Sequence, residues 1–556
     1  MNPALHKRTA GQIVVEALTA EQVEIAFGLV GSHILGIYEA LRSADHIVQV
    51  TVKHETNAGF MADAYAKLSG KTAVILTTAG PGVLNLMGGI GQAYFQASPM
   101  VIISGGVPTH ALREDVHGGD SPQFTRDAMS QVTKAAFRVT VLDDLPSTLA
   151  NAFQLARSGR PGPTYVEVPW NLVTAPPAAA APYHRLDTLL LPACPTGLLR
   201  TIEDRVANSH RPVICIDKGV VRTGLASRVV RLAERIGALL VVSYDAIGAV
   251  PGDHPLYAGV ANDFFFGDAA FEALKSSDFA LGLGLRPATG NEDFFYRLAG
   301  GESYSVYLDD RPGVSPKGIT YSLESVVAHL EARLAPNDGW NSRAPGRTAA
   351  DSRRSAEAYA RTRSDDSPLH PGYVVAEVAR HVTDDMTICL DVGANEVWSH
   401  SILPVAGTHS QLGAANWAGM GLAMPALIGA RYARPAAPRL GITGDGGLLM
   451  CSGDYPTLLQ AGGPCVLIVL NDSSFGIIDR FQTDAFGAGH ATSLGRTNFA
   501  EIARGFGGRA LRVESGPSLG PALEAAFAAR EPILIDAVTA GGVEFPPCLR
   551  SPQFTG

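Results

Sequence analysis

Two aspartates, each after a short apolar run, have the residue type and spacing to hold a divalent cation. Asp445 lies in the sequence GDGG, residues 444–447, after the run Leu440–Thr443. Asp472 lies in the sequence NDSS, residues 471–474, after the run Cys465–Leu470. Runs of this length and composition are typical of buried strands. The 24 residues between positions 446 and 471 fit one helix and two short loops.

This spacing predicts that Asp445 and Asp472 end neighbouring parallel strands. Carboxylate and phosphate oxygens are ligands that Mg²⁺ prefers. Gly444, Gly446 and Gly447 would let backbone N–H groups approach an anion. Either tetrapeptide alone is more simply explained as a surface turn. Together, at this spacing, they indicate a site for Mg²⁺ and a diphosphate.

Glu55 is a second candidate for chemistry, because it lies in the first turn of a predicted helix rich in small residues. A glutamate there complements the helix dipole, which is the simpler explanation for an isolated glutamate. The next predicted strand, however, ends at Thr78 and leads into the turn Gly80-Pro81-Gly82, followed by Asn85. Such a glycine turn can accommodate an anion or a flat ring.

Together these segments resemble the thiamine-diphosphate (ThDP)-dependent enzymes. The aspartate pair resembles their GDG…NN signature, with Asp472 where a second asparagine is usual. Residues from Glu55 to Asn85 resemble their pyrimidine-binding half, and further matches lie at residues 159–170 and 416–421, so that the resemblance covers essentially the whole chain. Aspartate is a harder ligand than an amide, so the departure at position 472 bears on cation preference and on the tightness of cofactor binding.

The resemblance implies a role for each of these residues. Glu55 would hydrogen-bond N1′ of the cofactor's aminopyrimidine and so promote removal of the thiazolium C2 proton. Met420 would be the apolar wedge beneath the bent cofactor, although methionine is also a common gap-filling core residue. The cofactor-binding residues implied are Glu55, Gly80, Asn85, Asn395, Met420, Gly444, Asp445, Gly446, Gly447, Asp472 and Ser474. Among them, Asp445, Asp472 and Ser474 would hold Mg²⁺.

Length and composition favour a large enzyme that acts on small metabolites. The 556 residues are 46% hydrophobic and 17% charged, which is typical of a globular chain with several domains. The net charge of −9, spread without long runs, argues against nucleic acid or an anionic membrane as a partner. Six scattered cysteines without C-x-x-C spacing, and no signal-like or membrane-spanning apolar stretch, predict a cytoplasmic protein.

Helical patterns alternate with short β runs such as Thr72–Thr78 and Phe279–Leu285, which predicts an α/β chain of three doubly wound parallel-sheet domains. We expect a pyrimidine-binding domain over residues 1–183, a central domain over 196–335 and a diphosphate- and Mg²⁺-binding domain over 368–556. Linkers are expected at Ala175–Pro195 and Pro336–Ser367. Gly282 and Gly284 form only part of a dinucleotide fingerprint, because residue 287 is proline, so no flavin is expected.

Several reactions occur on this family's fold. The runs Phe27–Ile34 and Asn471–Gly487 resemble benzaldehyde lyase. The tandem histidines of pyruvate decarboxylase and the histidine of benzoylformate decarboxylase-like proteins are not seen, and Phe481 stands where acetohydroxyacid synthases have tryptophan. We therefore expect a lyase or carboligase, acetolactate synthase-like or benzaldehyde lyase-like, that makes or breaks a C–C bond in 2-keto acids, 2-hydroxy ketones or aldehydes.

Two alternatives stay open. The run Lys134–Val139 resembles oxalyl-CoA decarboxylase, so an enzyme that cleaves 2-hydroxyacyl-CoA or decarboxylates oxalyl-CoA is the second candidate. A catalytically silent subunit with a ThDP-enzyme fold is more remote, because such a subunit would ordinarily have lost Glu55 or the aspartate pair.

His33 and Gln123 are candidates for handling the substrate. His33 follows a glycine turn after the first strand-like segment, and Gln123 lies in the loop Val116–Phe124. A neutral imidazole suits proton transfer near neutral pH, whereas an amide can only hydrogen-bond. The simpler explanations are a helix-capping or partly buried histidine and an ordinary loop glutamine. The resemblance also implies that each site combines domains from two subunits, so we expect a homodimer or a homotetramer.

Overall fold

The structure is a computed structural model of the chain. It describes residues 7–113, 115–179, 181–261, 266–285, 299–307, 318–337, 348–405, 407, 411–414, 417–546 and 549–550. The chain forms two compact units. The first comprises Met1–Leu189, Asn416–Ala436 and Cys451–Ala461, and the second comprises Leu190–Ala415, Ala437–Met450 and Gly462–Gly556.

The first unit contains a parallel sheet of six strands with the order β2-β1-β3-β4-β6-β5. The strands are β1 (Ile25–Leu29), β2 (Val48–Thr51), β3 (Ala73–Thr77), β4 (Met100–Gly106), β5 (Ala135–Arg138) and β6 (Pro163–Pro169). The helices are α1 (Ala10–Ala20), α2 (Leu35–Leu41), α3 (Glu55–Ser69), α4 (Pro81–Phe95), α5 (Phe124–Met129), α6 (Leu145–Arg157) and α7 (Trp170–Val173). Strands β3, β4 and β6 are wholly buried, as expected where helices cover both faces of a parallel sheet.

The second unit contains two parallel six-stranded sheets, of which the first has the order β9-β8-β7-β10-β11-β12. Its strands are β7 (Pro212–Ile216), β8 (Leu239–Val242), β9 (Tyr257–Val260), β10 (Phe279–Leu285), β11 (Glu302–Tyr307) and β12 (Gly318–Thr320). Its helices are α8 (Thr196–Ala207), α9 (Lys218–Arg222), α10 (Ala226–Ile236), α11 (Asp268–Ser276), α12 (Leu323–Arg333) and α13 (Ala349–Arg361).

Gly282 and Gly284 lie inside β10, within the predicted run Phe279–Leu285, and not in a turn after the strand as a dinucleotide fingerprint would require. Gly284 has φ +71°, and a Cβ there would lie 2.6 Å from the backbone nitrogen of Val220. The glycine is therefore required by the close approach of β10 to the backbone of α9.

The other sheet of the second unit has the order β14-β13-β15-β16-β18-β17. Its strands are β13 (Thr387–Leu390), β14 (Gln411–Leu412), β15 (Arg439–Gly444), β16 (Cys465–Asn471), β17 (Arg509–Val513) and β18 (Pro532–Val538). The remaining α-helices among the described residues are α14 (Pro371–Val378), α15 (Ala394–Ile402), α16 (Ala423–Ala433), α17 (Asp445–Cys451), α18 (Tyr455–Ala461), α19 (Gly476–Phe486), α20 (Phe499–Gly505) and α21 (Gly516–Phe527). Helices α16 and α18 belong to the first unit.

The segment between β15 and β16 contains two short helices, α17 and α18, so the prediction of a single helix is wrong. A 3₁₀ turn over Ser452–Asp454 separates them. Gly453 disfavours a continuous helix, and Pro456 cannot donate a backbone hydrogen bond to the preceding turn.

Both expected linkers contain some regular structure. Ala178–Ala179 pairs antiparallel with Lys7–Arg8. In the second linker, α13 begins with a capping box in which Thr348 and Asp351 exchange hydrogen bonds. No helix in the described part of the chain is both long and apolar enough to cross a membrane.

Candidate active site

The carboxyl ends of β1 and β3 meet where the first sheet changes direction. From β1 the chain moves outward to β2 and then returns past β1 to β3. Open parallel sheets bind ligands in the crevice at such a switch point. His33 follows β1, Glu55 follows β2 and Gly80 follows β3, so the sheet brings these three predicted residues to one edge.

Glu55 opens α3, and its side chain is buried with 6% exposure. The N-cap is His54, whose Nδ1 accepts a hydrogen bond from the backbone N–H of Thr56 at 3.3 Å. Nδ2 of Asn85 donates to Oε2 of Glu55 at 3.0 Å. The structure thus pairs two predicted cofactor-binding residues. Because a residue that only complements a helix dipole has no need of burial, this buried carboxyl fits a bound ring nitrogen better.

Gly80 is the N-cap of α4 and has φ 59°. A Cβ at this position would lie 2.6 Å from the backbone oxygen of His117. The left-handed backbone and the close approach both require glycine. Gly80 therefore supports the loop that carries His117, in addition to the cofactor contact predicted for it.

His33 lies in a single 3₁₀ turn, Ser32–Ile34, and is buried with 9% exposure. Its Nδ1 is 3.1 Å from Oγ of Ser32 and 3.1 Å from Nδ1 of His117. The centroids of the two imidazole rings are 4.8 Å apart. Sequence reasoning missed His117, although it lies in the loop that supplied Gln123. The presence of a histidine in that loop was the available signal.

Gln123 immediately precedes α5 and is half-buried. Its Oε1 is buried and accepts no hydrogen bond within the described part of the chain. A buried acceptor left unsatisfied costs about 1–3 kcal/mol. A bound molecule with a hydrogen-bond donor would satisfy this oxygen.

A buried polar network beneath this edge of the first sheet holds both ends of the loop between β4 and α5, which contains His117 and Gln123. Glu167, inside β6 and fully buried, forms an ion pair with Arg138 and accepts hydrogen bonds from Thr125 and from Tyr165, the latter at 3.2 Å. Arg138 also donates to the backbone oxygen of Val107 at 2.8 Å. Burial raises the pKa of Tyr165 to about 12, so the phenol stays a neutral donor. Sequence reasoning missed this network.

Met420 is half-buried and follows a segment anchored within the first unit. Nε1 of Trp417 donates to the backbone oxygen of Gly88 at 3.0 Å, and its ring stacks on Phe95 with 4.8 Å between centroids. Position 416, part of the same motif, lies outside the described residues. The incomplete burial of Met420 leaves part of its side chain available to a ligand, and its role as a wedge stays a prediction.

The sheet that carries the aspartate pair has the same strand order as the first sheet, and its switch point lies between β13 and β15. Asn395 follows β13, and its Nδ2 donates to the backbone oxygen of Asp391 at 2.6 Å. A Cβ at Gly444 would lie 3.6 Å from Oδ1 of Asn395. Gly446 and Gly447 lie in the first turn of α17. The predicted diphosphate residues therefore gather at one edge of one sheet.

Asp445 and Asp472 follow the paired strands β15 and β16, as the spacing predicts. Asp445 is buried with 3% exposure, and Asp472 is half-buried. Burial, and then the charge of Asp472, raise the pKa of Asp445 to about 7, while backbone N–H groups of Gly446, Ser473 and Ser474 oppose the shift. Burial likewise raises the pKa of Asp472.

Carboxylates that repel each other in a buried site fit a cation between them. Ser474 supports Asp472, because its N–H donates to Oδ1 at 3.0 Å. Within the described ranges there is no group of three or more His, Cys, Asp or Glu side chains that could hold a metal ion. Mg²⁺ is usually held by one or two carboxylates together with phosphate and water. The pair therefore fits Mg²⁺ bound with a diphosphate better than an all-protein metal centre.

Asp454, which sequence reasoning missed, positions the segment before Glu55. It is fully buried and belongs to the first unit. Its carboxylate accepts hydrogen bonds from the N–H of Lys53 at 2.9 Å, the amide of Asn57 at 2.6 Å and the hydroxyl of Thr457 at 2.9 Å. These bonds fix both sides of the turn from which Glu55 projects.

Three family models match successive parts of the chain. The model described as "Thiamine pyrophosphate enzyme, N-terminal TPP binding domain" matches residues 8–131, the central-domain model matches residues 199–298, and the C-terminal TPP binding domain model matches residues 391–537. Thiamine pyrophosphate is another name for ThDP. The two matched binding domains contain the switch points that gather Glu55 and Asp445.

Relatives found by sequence are similar over nearly their full length. A probable acetolactate synthase large subunit of Methanocaldococcus jannaschii is 27% identical, covering 95% of this chain and 91% of the relative. The acetolactate synthase isozyme 1 large subunit of Escherichia coli is 28% identical, covering 90% and 88%. The acetolactate synthase large subunit of Corynebacterium glutamicum is 27% identical, covering 96% and 87%.

Proposed function

Because the chain belongs to the thiamine-diphosphate-dependent enzymes, we propose that it is a carboligase that joins a 2-keto acid to a second carbonyl compound. The relatives named acetolactate synthase support this reaction, since acetolactate contains a C–C bond of the kind that such a ligation forms. Cleavage of 2-hydroxy ketones, as the resemblance to benzaldehyde lyase suggests, is the same chemistry in reverse.

ThDP, when bound, supplies a nucleophilic carbon and an electron sink. Glu55, Gly80 and Asn85 would hold its aminopyrimidine, and Met420 would support its bend. The residues that would hold its diphosphate and Mg²⁺ are Asn395, Gly444, Asp445, Gly446, Gly447, Asp472 and Ser474. We expect the two halves of each site to come from different subunits of a homodimer or homotetramer. The term "large subunit" in the relatives' names implies a small subunit for those proteins, so a second type of subunit is worth testing here.

The observation that carries the proposal is the buried imidazole of His33 at the same sheet edge as Glu55. Ligation converts one carbonyl oxygen into a hydroxyl, and cleavage does the opposite. Each direction therefore needs a group that gives or takes a proton near neutral pH, which an imidazole does well. The unsatisfied Oε1 of Gln123 would accept a hydrogen bond from that hydroxyl and orient it.

The acyl-CoA alternative came from the run Lys134–Val139, whose basic side chains contact other parts of the protein. Nζ of Lys134 donates to the backbone oxygens of Leu155 and Ser158 at 2.8 and 2.6 Å, at the end of α6. Arg138 is held in the buried ion pair with Glu167. Both basic side chains therefore have structural partners, so the acyl-CoA alternative rests on the resemblance of this run alone.

Product identification tests the proposal. The protein is incubated with ThDP, Mg²⁺ and pyruvate labelled with ¹³C at C2, alone or with benzaldehyde, and separately with a 2-hydroxyacyl-CoA. We expect a ligated hydroxy ketone or hydroxy keto acid in the NMR spectrum, and a loss of turnover of about 10²- to 10⁴-fold in His33→Ala with ThDP binding intact. Turnover of the CoA thioester alone, or release of acetaldehyde without ligation, would contradict the proposal.

A further inference from the structure

His117 is held against His33 by an unusual backbone conformation. Its φ is 58°, a left-handed value that residues other than glycine adopt at a cost of about 1–2 kcal/mol. Its backbone oxygen packs against Gly80, and its Nδ1 is 3.1 Å from Nδ1 of His33. His117 is half-buried, whereas His33 is buried. The pair therefore extends from a partly exposed ring to a buried one.

We propose that His117 and His33 form a proton relay that connects solvent with the buried side of His33. This inference rests on the proposed role of His33 as the group that gives and takes a proton. Within it, His117 is a positioning and relay residue that acts only through His33.

The distance between the two Nδ1 atoms allows one hydrogen between them, because two N–H groups would otherwise point at each other. In one state His117 donates to His33, and in the other His33 donates to His117. The hydroxyl of Ser32, 3.1 Å from Nδ1 of His33, can donate or accept, so in either state it shares the single in-plane position of that nitrogen with His117 as a three-centre hydrogen bond. Since Nδ1 is engaged on both rings, proton exchange with water and substrate falls to their Nε2 atoms.

The relay passes one proton from water to the substrate oxygen without leaving a charge on either ring. Starting with Nδ1–H on His117 and Nε2–H on His33, water gives a proton to Nε2 of His117. The shared hydrogen moves to Nδ1 of His33, and the Nε2 proton of His33 passes to the substrate oxygen. Both rings remain neutral, in the opposite tautomers. The reverse sequence takes a proton from a hydroxyl and returns it to water.

The two tautomeric states of the histidine pair match the two proton transfers that ligation requires. The oxygen of the acceptor carbonyl gains a proton and ends as a hydroxyl, and the oxygen that ends as the product ketone loses one. The first event leaves the pair in the tautomers that the second event requires, and the second event restores the starting tautomers. A buried histidine alone would carry a charge in one of the two states, whereas both rings of the pair are neutral before and after each event.

Two variants of His117 distinguish a proton relay from a role in which His117 only holds His33 in place. His117→Asn keeps a hydrogen-bonding group near the position of Nδ1 but cannot pass a proton through a ring, and His117→Leu lacks both functions. We expect both variants to lower kcat at least tenfold with unchanged KM and ThDP binding. Wild-type kcat in His117→Asn would overturn the relay, since support would then suffice.

The His33→Ala background provides the matched control. If His117 acts through His33, His117→Leu should change the residual rate of His33→Ala less than twofold. Multiplicative losses in the double variant would overturn the proposal. No loss in His33→Ala itself would instead refute the proposed role of His33, and the relay with it. Thermal unfolding of each variant shows whether it is folded.

A measurement without cofactor or substrate completes the test. In protein labelled with ¹⁵N-histidine, a hydrogen shared between two Nδ1 atoms produces a scalar coupling between those nitrogen nuclei. We expect this coupling in the folded wild type and its loss in both His33→Ala and His117→Asn. Absence of the coupling in the folded wild type would overturn the shared hydrogen and the relay.

Discussion

Asp445→Asn is expected to stabilise the metal-free protein at high pH while abolishing retention of ThDP and Mg²⁺. The pKa of Asp445 is raised from 3.8 to about 7, mainly by burial. A carboxyl whose folded pKa lies above its unfolded value costs stability as the pH rises through this interval, because folding then buries a charge. Asparagine removes the charge and keeps an Oδ1 that can accept the Gly446 N–H, which lies 2.8 Å from Oδ1 of Asp445.

The magnitude follows from the shift. About three pKa units at 1.36 kcal/mol each give at most about 4 kcal/mol at pH 8. At pH 4.5 the carboxyl is protonated in the folded protein but only about one-sixth protonated in the unfolded chain, and the difference falls to about 1 kcal/mol. The free energy of unfolding of Asp445→Asn should therefore exceed that of wild type by about 4 kcal/mol at pH 8 and by only about 1 kcal/mol at pH 4.5.

Urea unfolding of chelator-treated protein at the two pH values measures this difference, with the exposed Asp204→Asn as a control that should show none. Calorimetry with ThDP and Mg²⁺ then compares binding. If the variant is less stable than wild type at pH 8, or if the difference does not depend on pH, then burial and repulsion of the Asp445 charge do not destabilise the metal-free protein. Undiminished ThDP binding would remove Asp445 from the metal site.

Glu55→Gln is expected to fold and bind ThDP but lose most turnover, because an amide cannot share the proton on which activation of the cofactor depends. An unchanged rate of thiazolium C2 proton exchange would show that Glu55 only complements the helix dipole. Gly80→Ala should lower the free energy of unfolding by about 1–3 kcal/mol, because Gly80 has φ 59° and the new Cβ would lie 2.6 Å from the backbone oxygen of His117. An unchanged urea midpoint would contradict this. Asp454→Ala should cost about 3 kcal/mol or more, since it leaves the N–H of Lys53 and other donors unsatisfied, and Asp454→Asn should cost less. The purified protein should lack stoichiometric FAD, which an absorption spectrum checks; FAD that supports turnover would overturn the expectation drawn from the incomplete glycine motif.

The strands and the aspartate pair were predictable because their signals are local. The run Phe279–Leu285 was predicted and found with the same bounds, and Cys465–Leu470 was found as Cys465–Asn471. Parallel strands that helices cover on both faces need continuous apolar runs. A polar residue that directly follows such a run lies at the carboxyl edge of the parallel sheet. The positions of Asp445 and Asp472 could therefore be predicted from the ends of the two apolar runs.

Helix boundaries were less visible where local signals conflict. The segment after Asp445 is apolar enough for one helix, but Gly453 and Pro456 divide it into α17 and α18. In the second expected linker, polar composition concealed α13, although Thr348 and Asp351 have the spacing of a capping box. Both errors gave composition more weight than the glycine, proline and capping signals.

The contacts that complete the His33 side of the site depend on tertiary packing. His117 is 84 residues from His33, and nothing local relates the two. Their approach requires the loop between β4 and α5 to lie over the sheet edge, and that loop is held by Glu167 and Arg138, which lie in the adjacent strands β6 and β5. A glutamate within a strand that is otherwise apolar is costly unless it is paired. Glu167 was therefore a local indication that a buried polar network supports this edge and holds both ends of the loop that carries His117.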